Sequence, residues 1–219
     1  MLAERRAERL LNGRPTHAEF YFDLGCPFSY LAAERIERML GHVEWVPSVP
    51  LAPEREERGG LAAFRAHAET CAVALRLPLV WPDRLAEPPC GALRAAAYAA
   101  EQGAGARFAL AASRLAFCGG FDLEDPEILA EAAAAAGVPL QGCLAAAHDQ
   151  GRDEALRATA RRLRANGIRR LPAIRIGRRW FEGEHALAEA GALLRARARA
   201  RTCAMRELRA APAPLAPAS

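Results

Sequence analysis

Six cysteines are spread singly along the 219 residues, with no Cys-x-x-Cys pair and no zinc-ligand ladder. One of them stands apart. Cys26 follows the apolar, aromatic run Phe20-Tyr-Phe22 and the break at Gly25, and it is followed at once by Pro27. A run of this kind reads as a buried strand, and proline suits the first position of a helix, where a missing N–H costs nothing. Cys26 is therefore expected at the N-terminal lip of a helix leaving directly from a strand. Unpaired N–H groups and the positive end of the helix dipole favour thiolate over thiol there, so Cys26 is read as a nucleophile for thiol chemistry. Filling a strand–helix corner is the plainer role for such a residue. Ser29, one turn on, either donates a hydrogen bond to that sulfur or is a solvated first-turn serine.

The remaining cysteines read differently. Cys71, Cys118 and Cys143 lie on helical stretches rich in alanine and leucine, where packing is the expected role. Cys90 follows Pro88-Pro89 and precedes a helix start at Gly91; it would resolve Cys26 only if that helix folds over the site. His67 and Cys71 have the i, i+4 spacing of a metal pair but lack two further ligands, so no metal is expected. Trp81 and Trp180 read as core or rim packing.

The elements that position Cys26 follow from the pattern. Ala18–Asp23 reads as the first strand and Pro27–Leu40 as the first helix, stopped by Gly41. His42–Val46 alternates polar with apolar and reads as a second strand, which makes a parallel βαβ unit. From about Pro53 to Asn166 the periodicity is helical, with helices expected over 61–77, 91–102, 106–117, 126–136, 140–148 and 152–165. Asp125 before Pro126 is an N-cap signal. Leu171–Ile176, a Gly177-Arg178 turn and Arg179–Phe181 form a closing hairpin, and helix resumes over 184–197. The fold class expected is α/β: βαβ, an all-helical insertion, then ββα.

Composition narrows the function classes. The formal net charge is only +4, and all 30 Lys+Arg residues are arginine interleaved with acids along most helices. Solvated faces explain that pattern, so neither nucleic acid nor membrane is an expected partner. Met1–Thr16 is charged throughout, without the apolar core of a secretory signal, and its residues 1–14 read as a short peripheral helix ended by Gly13 and Pro15. A cytoplasmic location with reduced cysteines is expected. The Pro-rich residues 212–219 read as a disordered tail.

The ordered set of motifs resembles the thioredoxin fold, and the helical insertion resembles its DsbA group. Phe20-Tyr-Phe-Asp23 with Cys26-Pro-Phe-Ser-Tyr-Leu31, Ala92–Ala96, Phe117–Asp122, Asp125-Pro126 and Gly167–Pro172 are similar to the branch of 2-hydroxychromene-2-carboxylate isomerases and kappa-class glutathione transferases. The resemblance spans roughly residues 18–197. It implies a thioredoxin-like domain from 17–52 and 167–200, an inserted helical domain from 53–166, an extension at 1–16 and a tail at 201–219. It also implies a cis bond before Pro172, with the Leu171 backbone free to pair with a partner.

Departures from that branch redirect the chemistry. Its members usually carry serine where Cys26 stands, and oxidoreductases usually carry a second cysteine where Ser29 stands. Its glutathione-binding members carry aspartate where Gly183-Glu-His-Ala186 places His185, and their loop after the second strand is longer than Pro50–Leu61. The expected function is thiol–disulfide oxidoreduction at a monothiol Cys-Pro-Phe-Ser centre. Cys26 and Ser29 are its catalytic residues, and Pro27, Phe28, Leu171, Pro172, Glu184 and His185 bind the thiol or substrate. Glutathione or another low-molecular-weight thiol is the expected cosubstrate, with no tightly bound cofactor. The alternatives are a glutathione-dependent isomerase or transferase acting on an aromatic substrate, and a binding module without catalysis. Relatives in this branch are often homodimers.

Overall fold

The computed structural model describes residues 17–51, 60–82, 84 and 90–210, with side chains to residue 206. The expected N-terminal helix, most of the Pro50–Leu61 loop, Pro88-Pro89 and the Pro-rich tail lie outside the described residues.

Strand β1 (Ala18–Phe22) is buried at every position and forms the middle of the sheet. It pairs in parallel with β2 (Val43–Pro47) and antiparallel with β3 (Ala173–Ile176). An antiparallel hairpin adds β4 (Arg179–Glu182), giving the order β2-β1-β3-β4. Pro47 can end β2 because, among the described residues, that strand has a neighbour on one side only. The hairpin turns at Gly177, whose φ of 64° favours glycine.

Between β1 and β2 runs α1 (Pro27–Leu40), opened by Pro27 and closed by Gly41 at φ 78°. Phe20 and Phe22 point from β1 into a core with Trp45, Leu31 and Ile36, and the Phe20 and Trp45 rings meet edge-on at 4.8 Å. Burying each such ring contributes about 1.5–3 kcal/mol. Tyr21, next along the strand, faces the opposite side, as the two-residue period of a strand demands. There it packs with Leu163, Leu171 and Trp180.

The helical part comprises α2 (Leu61–Leu75), α3 (Gly91–Glu101), α4 (Gly105–Phe117), α5 (Pro126–Ala136), α6 (Leu140–His148) and α7 (Asp153–Ala165). Asp125 caps α5 by accepting the Glu127 N–H at 2.8 Å, and Gly137 ends the helix in the left-handed region. Buried alanines line the facing sides of α3, α4 and α5, among them Ala95, Ala99, Ala109, Ala112, Ala132 and Ala133. The alanine-rich composition thus builds close helix–helix contacts. Helix α7 lies against the Tyr21 face of the sheet through Ala160 and Leu163.

Two expectations at the C-terminal side are corrected. The strand begins at Ala173, not Leu171, because the chain turns at Pro172 before joining the ladder. The last helix, α8 (Ala186–Ala210), starts after a short 3-10 turn at Gly183–His185 and runs thirteen residues past Arg197. No described helix is long and apolar enough to cross a membrane.

Candidate active site

The turn from β1 into α1 is tightly determined. Asp23 Oδ1 accepts the Gly25 N–H at 3.2 Å, and the Asp23 carbonyl accepts the Cys26 N–H at 3.3 Å. Cys26 is the N-cap of α1, with extended backbone (φ −103°, ψ 115°), and its sulfur does not cap the helix. The first turn of α1 carries no acidic residue to offset the positive end of the dipole. The sulfur therefore lies where the helix terminus favours an anion.

Cys26 is only 7% exposed, yet it does not face the apolar core alone. Its thiol donates to the Leu171 carbonyl at 3.7 Å, across 145 residues of sequence. The Leu171–Pro172 peptide is cis, as the resemblance implied. Gly183 N–H donates to the Pro172 carbonyl at 2.8 Å, joining the end of β4 to this segment. Cys26, Pro27, Leu171 and Pro172 are thus brought together.

Ser29 is buried, so it is no solvated first-turn residue. Its Oγ accepts the Asp23 N–H at 3.3 Å, which ties the first turn of α1 back to the strand end. Phe28 is buried against Phe64 of α2, edge-on at 5.6 Å, and lies 5.5 Å from the His67 ring. His67 Nε2 is 2.9 Å from Glu184 Oε1, and the same nitrogen is 3.8 Å from Cys71 Sγ. Glu184 therefore reaches the Phe28 side of the site through His67. His185 is exposed.

His67 borders this arrangement through Phe28 and Glu184, which sequence does not announce. In sequence it showed only its spacing to Cys71; its carboxylate partner is 117 residues away. Cys71 and Cys118 pack against the core as expected, but are half-buried rather than enclosed. Cys118 Sγ lies 3.1 Å from Tyr30 Oη, which donates to the Pro78 carbonyl at 2.8 Å. Cys143 is buried, and burial pushes its thiol pKa up.

Cys90 is the N-cap of α3 and is buried. It lines a small apolar crevice with Leu24, Gly25, Phe117 and Leu123, so the insertion does fold over the turn before Cys26. Burial first, and the Asp23 charge second, push the Cys90 thiol up to about 12. N–H groups of Leu93 and Ala92 offset this only in part. Cys90 is held as a neutral thiol at physiological pH.

Among the described residues, His17, Glu19 and Glu44 bring ligating atoms close enough to hold an ion. Glu19 is already engaged, however, by the Arg175 guanidinium and by Tyr21 Oη. Trp81 and Trp180 are half-buried packing residues, Trp81 beside Phe64 and Trp180 beside Tyr21.

Comparison with known proteins agrees with this fold. The family model described as a DSBA-like thioredoxin domain matches residues 18–190, and the chain belongs to that family. No curated protein matches the sequence significantly. Among solved structures the fold is similar to a 2-hydroxychromene-2-carboxylate isomerase (TM-score 0.66, 16% identity, 89% of this chain and 99% of that one). It is also similar to a probable DsbA oxidoreductase from Streptomyces coelicolor (TM-score 0.65, 21% identity, 92% and 94%). A third similar structure is the cytosolic disulfide reductase DsbM from Pseudomonas aeruginosa (TM-score 0.61, 17% identity, 84% and 99%). At these identities the likeness is one of fold.

Proposed function

We propose that the protein is a monothiol disulfide reductase in which Cys26 is the only reacting cysteine. The observation that carries this reading is the placement of Cys26 Sγ at the start of α1, 3.7 Å from the Leu171 carbonyl beside cis-Pro172. The Cys26 thiolate attacks one sulfur of a disulfide. A Cys26–sulfur bond forms, the original sulfur–sulfur bond breaks, and the other half leaves as a thiolate that takes a proton from solvent. A second, external thiolate then attacks the mixed disulfide, releases Cys26 and leaves with a new disulfide. The external thiol is thereby oxidised and the substrate reduced.

Ser29 stands where a resolving cysteine would be needed and cannot form a disulfide. Cys90, neutral and enclosed, is a poor internal substitute. Release by an external thiol such as glutathione follows, which favours reduction or deglutathionylation over insertion of disulfides. Such chemistry suits a reducing compartment, and the cytoplasm is the location proposed.

The test is glutathione-dependent reduction of a small mixed disulfide, run beside isomerisation of a chromene carboxylate. Reduction that is lost in Cys26→Ala supports the reading. Isomerisation without reduction overturns it.

A further inference from the structure

Leu171 presents its carbonyl to the Cys26 sulfur from a segment anchored on both sides by the end of β4. On the far side of the cis bond, Gly183 N–H donates to the Pro172 carbonyl at 2.8 Å. On the near side, Glu182 Oε2 accepts the N–H of Arg169 at 2.6 Å and of Arg170 at 3.2 Å. A carboxylate accepting two backbone N–H groups makes charge-assisted bonds, stronger than neutral ones. Residues 169 and 170 precede β3, whose ladder pairing begins at Ala173. The Glu182 side chain supplies what the ladder does not.

We propose that Glu182 is a positioning residue that sets the distance between the Leu171 backbone and Cys26. Through it the end of β4 controls two properties of the sulfur at once. The Leu171 carbonyl accepts a hydrogen bond from the Cys26 thiol and covers the sulfur, which slows its reaction with small electrophiles. The same backbone is the rail along which a disulfide partner is aligned, so its position also governs exchange. This second half rests on the reading of Cys26 as the reducing thiol; the first half does not.

Glu182→Ala removes the anchor, and the two properties then move in opposite directions. Alkylation of Cys26 by iodoacetamide at neutral pH is expected to rise at least about threefold, as a covering carbonyl is loosened. Exchange with glutathione disulfide is expected to fall about tenfold, mainly through KM, as alignment is lost. Glu182→Gln keeps an oxygen for both N–H groups and rescues both rates to within about twofold. Circular dichroism confirms that each variant is folded.

A general loosening would raise or lower both rates together and would leave the Gln variant no better than Ala. Either of those results, or unchanged alkylation in Glu182→Ala, overturns the proposal. If alkylation rises in Glu182→Ala and is restored in Glu182→Gln while the wild-type protein shows no exchange, the positioning role stands and the reductase reading falls.

Discussion

Removal of the Asp153 carboxylate tests how the helical insertion is held over the active-site turn. Arg94 of α3 meets Asp153 at the start of α7 through two parallel bonds, Nε to Oδ1 at 2.6 Å and Nη2 to Oδ2 at 3.2 Å. Its third nitrogen donates to the Ala147 carbonyl at 3.1 Å, so one guanidinium ties α3 to α6 and α7. The side chains are only 14% and 11% exposed. Taking one partner from a pair this enclosed strands a charge, and the expected cost is about 3–5 kcal/mol. An exposed pair would be worth roughly 0–1 kcal/mol. The bond from Arg94, working against burial, holds the Asp153 carboxyl below the usual carboxylate range. A depressed carboxylate stabilises the folded state above its unfolded pKa, near 3.8, and loses that effect as pH falls through the folded value. Urea unfolding of wild type and Asp153→Ala, followed by circular dichroism, should therefore show the full gap at pH 7. The gap should narrow below about pH 4. Arg94→Met/Asp153→Leu should recover much of the loss, since no charge is then left buried. A gap under about 1 kcal/mol at pH 7, or one that does not change with pH, refutes this account.

Further outcomes follow from neighbouring features. A Cβ at Gly142 would lie 2.1 Å from Tyr98 Oη, so Gly142→Ala should lower Tm despite the better helix propensity of alanine, at a cost of about 1–3 kcal/mol. Tyr98→Ala in the same chain should relieve the clash, and a Gly142→Ala variant as stable as wild type would contradict it. Cys90, pushed up to about 12, should label with iodoacetamide far more slowly at pH 8 than the exposed Cys203, as peptide mapping would show. Equal labelling of the two would mean that the α3 N-terminus is open.

The sequence exposed the local half of the site well. Pro27 and Gly41 bound α1 at the expected residues, since proline at a helix start and glycine at its end act through the backbone alone. The same holds for Asp125 at α5. What stayed hidden depends on distant partners. Glu182 falls just past the strand expected over Arg179–Phe181, and nothing in its neighbours announces that its carboxylate turns back to Arg169 and Arg170. His67 and Glu184 meet only because α2 packs beside the turn before α8. Ser29 is buried rather than solvated, and the bond its oxygen accepts from the Asp23 N–H, six residues back, has no signature in the sequence. The length of α8 is not legible because residues 198–206, arginine-rich, show no buried face to mark them.

The central claim, that Cys26 is the thiol that carries mixed disulfides, is tested most directly by intact mass and peptide mapping after exposure to glutathione disulfide. Cys203→Ser serves as the background, so that the exposed thiol does not contribute. One glutathione on Cys26, absent from Cys26→Ala and released by added thiol, is the predicted result. A folded protein that takes up glutathione elsewhere, or none at all, while Cys26 still reacts with iodoacetamide, would contradict the account.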